Sequence, residues 1–181
     1  MLSKFGASAG FTMLELMTAV TVLGILLAVG VPAFTETIAS NRLTTVANEM
    51  VTAVNVARSE ASKRGIPVSV CAANAALTNC SGSATWNSGW IVFTDDQGAS
   101  GELDGSDELL QTFAAPPEGY AVTATNPGTL TYIRFLRSGA PDSTAGAGRT
   151  LKLSRPACTG NKAREISIAN TGRVSSGKKA C

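Results

Sequence analysis

Residues 10–32, GFTMLELMTAVTVLGILLAVGVP, are apolar along almost their whole length. From Phe11 to Val31 the 21-residue run carries a single charged side chain, Glu15. Coiled as a helix at 1.5 Å per residue, such a run spans about 31 Å, the thickness of a bilayer's hydrocarbon core. A secretory signal would instead show an apolar part of roughly 7–15 residues before a small-x-small cleavage site. This run is too long for that, and its distinctive feature lies at its start. The reading is a membrane helix over 11–34. Met1 to Gly10 contains nothing able to fold, and its one cation, Lys4, fits retention of that end in the cytoplasm. A carboxylate in hydrocarbon costs roughly 2.5–3.5 kcal/mol on insertion scales, so Glu15 calls for a partner or a function. The competing explanation is that it lies near enough to the interface to reach water.

Beyond Pro32 the helical pattern continues with a different character. Leu43, Val46, Ala47, Met50, Val54, Ala57 and Ala61 recur at helical spacing, with Asn, Arg, Glu and Lys mostly off that stripe. Residues 35–65 therefore form an amphipathic outer half, closed by Lys63, Arg64, Gly65 and Pro67. The remainder, 66–181, alternates short apolar stretches with turn-rich ones. Strands are expected at Val68–Cys71, Gly89–Thr94, Glu108–Ala114, Thr131–Leu136, Thr150–Leu153 and Glu165–Ala169. Gly and Ser clusters at 81–83, 98–106, 138–148 and 175–177 are expected to be loops. Helix first and strands afterwards make the class α+β, a mostly antiparallel sheet laid against the long N-terminal helix.

Charge is unevenly placed. Between Thr85 and Tyr120 stand seven acids (Asp95, Asp96, Glu102, Asp104, Asp107, Glu108, Glu118) and no base. From Gly146 onward there are eight bases and one acid, Glu165. Such separation gives opposed electrostatic patches, one of them suited to an anion, or simply a dipolar surface that keeps the chain soluble. The four cysteines allow three pairings, of which Cys71–Cys80 and Cys158–Cys181 are favoured because each closes a local loop.

Several function classes drop out. The chain has no histidine, which removes the commonest general base and neutral metal ligand, and no base is spaced to activate Ser59 or Ser69. No C-x-x-C pair and no phosphate-cradling glycine loop occurs. The acids at 95–108 lack the spacing of a calcium loop, and Asp and Gly are ordinary hairpin residues. Trp86 and Trp90 are expected to be core aromatics. No enzyme activity, metal or cofactor is expected.

At its amino end, Gly10-Phe11-Thr12-Met13-Leu14-Glu15 followed by an apolar helix resembles the class III signal of type IV pilins and pseudopilins. The resemblance implies that 1–10 is a leader removed by prepilin peptidase between Gly10 and Phe11, and that Phe11 is then N-methylated. It implies that Glu15 pairs with the terminal amine of a neighbouring subunit and that Pro32 kinks the helix. Ala57-Arg58-Ser59-Glu60-Ala61 with Arg64-Gly65, Trp86-x-x-Gly89-Trp90-Ile91-Val92-Phe93-x-Asp95, and Gly172-Arg173-Val174 are similar to stretches of one branch, the GspH/FimT family. That family implies a single-pass protein of the bacterial inner membrane with a periplasmic C-terminal domain. It acts as a minor pilin of type IV pili or a minor pseudopilin of type II secretion, with other pilin subunits as partners. FimT members bind double-stranded DNA during natural transformation, through a Gly-Arg-x-basic tail. Gly172 and Arg173 match that motif, but Ser175 stands where the second base belongs. Lys178 and Lys179, on a loop closed by Cys158–Cys181, are the substitutes, with Lys162 and Arg164 as further phosphate contacts.

Overall fold

A computed structural model describes residues 10–125, 130–143 and 149–181; all of the expected leader at 1–10 except Gly10, and part of the expected loop at 138–148, lie outside them. One helix, α1, runs Met13–Arg64. The chain divides into two compact units, 1–39 and 40–181.

In the first unit the helix begins where Thr12 caps it: the Glu15 N–H donates to Thr12 Oγ1 at 3.2 Å. Thr12-x-x-Glu15 is thus a capping-box sequence, and Glu15 occupies the first turn, where the helix dipole favours an acid. Thr18 and Thr21 turn their hydroxyls back onto the carbonyls of Glu15 and Met17 at 2.9 and 2.7 Å. Their polarity is satisfied inside the helix, as a lipid environment demands. This is the one helix among the described residues long and apolar enough to cross a membrane, and its large side chains, Phe11 to Phe34, are exposed.

In the second unit, Leu43, Val46, Ala47, Met50, Ala53, Val54, Ala57 and Ala61 form the buried stripe of α1. Gly65 ends the helix with a left-handed φ of 69° while its N–H closes onto Ala61 O. Eight strands follow among the described residues: β1 Val68–Ala72, β2 Trp90–Thr94, β3 Leu109–Phe113, β4 Ala121–Ala124, β5 Tyr132–Phe135, β6 Arg149–Ser154, β7 Ala163–Ile168 and β8 Val174–Lys179. All their pairings are antiparallel.

The strands make two four-stranded sheets, ordered β3-β2-β1-β5 and β4-β6-β7-β8, not the single sheet expected. Two strands escaped expectation. β4 is short and follows a proline-rich turn. β8 occupies the Gly–Ser stretch at 175–177 that composition assigns to a loop. Edge strands bury little, so VSSGKK needs no apolar alternation to be a strand. The strands β1 and β2 are buried at every position, because both faces of their sheet are covered. Val68, Val70, Trp90 and Val92 join the main core with the α1 stripe, Leu151, Leu153 and Ile166. Cys71, Ile91 and Phe93 form a smaller cluster roofed by Leu77, Leu103 and Tyr132.

Candidate interaction surfaces

The cations of the carboxy-terminal third lie on a β-ladder. β7 pairs with β8 so that Arg164 faces Lys178 and Ala163 faces Lys179. The Arg164 guanidinium donates to Thr44 Oγ1 of α1 at 3.1 Å, which places Arg164 and Lys178 on the face turned towards the helix. Lys179 lies on the other face, where its ammonium meets Glu165 at 2.9 Å, and Lys152 nearby donates to Cys181 O at 2.5 Å. Arg173 is exposed in the turn joining β7 to β8, at the far end of the ladder from Lys178. Lys162 is exposed just before β7. The ladder brings Arg164 and Lys178 together and separates both from Lys179 and Arg173. The loop expected to present Lys178 and Lys179 is a strand, so pleat alternation divides the cations between two faces. Cys158 and Cys181 are bonded and tie the chain end beyond β8 to the segment before β7. Cys71 and Cys80 are bonded, and Cys71 is itself part of the smaller core.

The acid-rich loop after β2 is organised by its own backbone. Asp104 Oδ2 accepts the Ala99 N–H at 3.1 Å and Asp107 Oδ1 accepts the Asp96 N–H at 3.2 Å. Asp95 lies deeper, 1% exposed. Its Oδ2 accepts from Ser69 Oγ at 2.5 Å and from the Gly101 N–H at 2.9 Å, and stands 3.1 Å from Arg134 Nε. Arg134 also donates to Asp95 O at 2.7 Å and reaches Asp142 Oδ2 at 3.3 Å. The buried Arg149 donates to Asp142 O and to Asn170 Oδ1. This relay links both sheets, since Arg134 belongs to β5 and Arg149 to β6. Burial pushes the Asp95 carboxyl above its ordinary range, against the opposing pull of Ser69, Gly101 and Arg134. Burial likewise lowers Arg149. Sequence inspection missed Arg134, Asp142 and Arg149, because nothing in their spacing shows that they meet.

The stretches that carried the family resemblance hold the fold together. Arg58 donates to Gly172 O at 3.2 Å, joining the helix motif to the Gly-Arg-Val motif. A Cβ on Gly172 would lie 2.4 Å from Gly139 O, so the backbones approach too closely there for any other residue. Trp86 donates its indole N–H to Leu130 O at 3.0 Å, and Trp90 stacks on Phe113 with centroids 6.0 Å apart. Both tryptophans are fully buried, as core aromatics.

Comparison with known proteins points the same way. Residues 46–172 match the family described as type II transport protein GspH, which covers these motifs from the α1 stripe to Gly172. The fold resembles two crystal structures of the Pseudomonas aeruginosa (strain PAO1) type IV minor pilin FimU. One, in space group P21, has 20% identity and a TM-score of 0.56 over 75% of this chain and 87% of that one. The other, in space group P65, has 18% identity and a TM-score of 0.50 over 78% and 91%. At such identities the likeness concerns the fold alone. No curated protein sequence matches. A helix-led, two-sheet domain whose Arg58, tryptophan and Gly172 contacts all lie within the matched region belongs, with the rest of this chain, to the GspH family of pilin-like proteins.

Proposed function

We propose that the chain is a minor pilin or minor pseudopilin, held in the bacterial inner membrane by residues 11–34 and carried into a periplasmic filament. Prepilin peptidase removes residues 1–10, Phe11 becomes the N-methylated terminus, and the periplasmic domain over 66–181 contacts other filament subunits. The observation that carries this reading is Glu15, the lone charge of the apolar run, set in the first helical turn after Gly10-Phe11.

The chemistry is electrostatic. Cleavage after Gly10 creates a cationic amine at the start of an apolar helix. In a low-dielectric surrounding that amine and a carboxylate attract far more strongly than in water. Within one helix Glu15 is about one turn from Phe11. Between axially staggered helices it reaches the next subunit's terminus, so the pair sets the stagger. The helix dipole lowers the cost of placing the acid there, and the neighbour's amine supplies the rest.

Glu15→Val tests the reading directly. It removes the charge and should raise membrane partitioning while abolishing recovery of the chain in sheared filament fractions. Normal incorporation of the variant would refute the role of Glu15. Processing has its own check: mass spectrometry of the filament-borne chain should find methylated Phe11 at the terminus, and an intact Met1 there would contradict the assignment.

A further inference from the structure

Several cations of the described residues are neutralised by an acid beside them. Arg64 meets Glu60 and Glu108, Arg134 meets Asp95 and Asp142, and Lys179 meets Glu165. Arg58, Arg137 and Arg173 form no ion pair among the described residues. The stretches outside those residues, 1–9, 126–129 and 144–148, contain no Asp or Glu that could supply one.

These three arginines belong to one joint, where α1, the turn after β5 and the β7–β8 turn meet. The turns touch backbone to backbone, since a Cβ on Gly172 would lie 2.4 Å from Gly139 O. The Arg58 side chain lies against both glycines. Its Nε is 3.0 Å from the Cβ position of Gly172 and 3.4 Å from that of Gly139. Arg137 stands in the turn that the Gly139 N–H closes onto Leu136 O at 2.8 Å, and Arg173 directly follows Gly172. Both are exposed, while Arg58 is half-buried. A guanidinium carries five N–H donors. Among the described residues Arg58 commits one nitrogen, Nη1, to Gly172 O at 3.2 Å, and the side chains of Arg137 and Arg173 commit none. The joint therefore holds three positive charges with most of their donors unused.

We propose that the Arg58–Arg137–Arg173 joint receives the carboxylates of an acidic segment on a neighbouring filament subunit. This rests on the minor-subunit reading above and names the chemistry of its contact. A guanidinium offers paired N–H donors that match the two oxygens of a carboxylate, and it is more weakly hydrated than an ammonium. All three cations of the joint are arginine. Arg58 is partly desolvated and has no counter-ion in the isolated chain, so it gains most when an acid arrives. The exposed Arg137 and Arg173 steer that acid and fix its orientation. A nucleic acid is the competing occupant, and the placement of charge disfavours it. Binding to a phosphate backbone draws on a track of many cations. Here Arg164 and Lys178 lie at the far end of the β7–β8 ladder, and Lys179, on its other face, is already engaged by Glu165. The joint is a compact site and not a track.

Fluorescence anisotropy of a labelled hexaglutamate peptide, titrated with the full chain in nonionic detergent, tests the site. Wild type should bind this peptide saturably and its glutamine counterpart about tenfold more weakly. Arg137→Gln and Arg173→Gln remove no hydrogen bond of the fold. Each should weaken binding about threefold, and the two together about tenfold. Lys178→Gln, at the far end of the ladder, should leave binding unchanged. In cells, Arg137→Glu combined with Arg173→Glu should lower recovery of the chain in sheared filaments while its terminus still matures to methylated Phe11. Peptide binding depends neither on Glu15 nor on cleavage after Gly10, so failure of the site and failure of the minor-subunit reading are told apart. The proposal is overturned if wild type shows no saturable binding, or if Lys178→Gln weakens it as much as Arg173→Gln. A short duplex oligonucleotide that displaces the peptide and is itself bound through Arg137 and Arg173 would also overturn it, in favour of a nucleic acid.

Discussion

Arg134 is the residue on which the buried charges depend. It stands between Asp95 and Asp142, and its own guanidinium is largely shielded from water. Arg134→Met would take the cation from the buried Asp95 and leave Asp142 with Arg149 beside it. Breaking a buried ionic group in this way costs about 3–5 kcal/mol, whereas Ser69→Ala, which removes one donor to Asp95, should cost about 1–3 kcal/mol. Urea denaturation at neutral pH would rank the two. Asp95 also makes stability depend on pH, with a definite sign. Its folded carboxyl titrates above its unfolded value because it is buried. The folded state therefore holds the extra proton, and this contribution is present below the unfolded value, about 3.9 for Asp. It is lost as pH rises through the folded value. Asp95→Asn should remove this fall, so the stability difference between variant and wild type should shift in the variant's favour from pH 3.5 upwards through the weakly acidic range. A difference constant over that range would show that Asp95 titrates normally. Glu60 behaves oppositely: its hydrogen bond to Arg64 lowers its titration, so that small surface contribution is present near neutrality and lost on acidification.

At the scale of elements, α1 and the β7–β8 hairpin meet where Arg58 reaches Gly172. Gly172 has a φ of 78° and no room for a Cβ beside Gly139 O. Gly177, in the same hairpin, has nothing within 4 Å of where its Cβ would stand. Gly172→Ala should therefore cost about 2 kcal/mol or more, combining left-handed strain with a backbone clash. Gly177→Ala should change stability by less than about 0.5 kcal/mol. Thermal unfolding of both variants would separate a backbone requirement at Gly172 from a strand position where glycine is merely tolerated. The long helix and six of the eight strands were legible in the sequence, with ends displaced by a residue or two, because their apolar periods are local. β8 was not, since an edge strand without a buried face has no period to display. The same misreading placed Lys178 and Lys179 on one loop; the pleat assigns them to opposite faces.

For the whole molecule, the buried hydrophobic residues among those described begin at Leu43 and all lie in the unit over 40–181, which holds its own core. A chain beginning at Ser40 should remain folded in detergent-free solution and unfold in one cooperative transition by circular dichroism. A broad, non-cooperative melt would mean that the apolar helix contributes to the fold as well as to anchoring.

By itself the sequence determined the 21-residue apolar run with its single acid, the helical stripe beyond Pro32, and the family resemblance. Each of these is written in spacing along one helix or in short contiguous motifs, where neighbours in sequence are neighbours in space. Only the tertiary structure decided the division into two sheets and the Asp95–Arg134–Asp142–Arg149 relay. Those depend on contacts such as Arg58 with Gly172, 114 residues apart. Which distant groups meet is set by strand order and packing, and no local period records it.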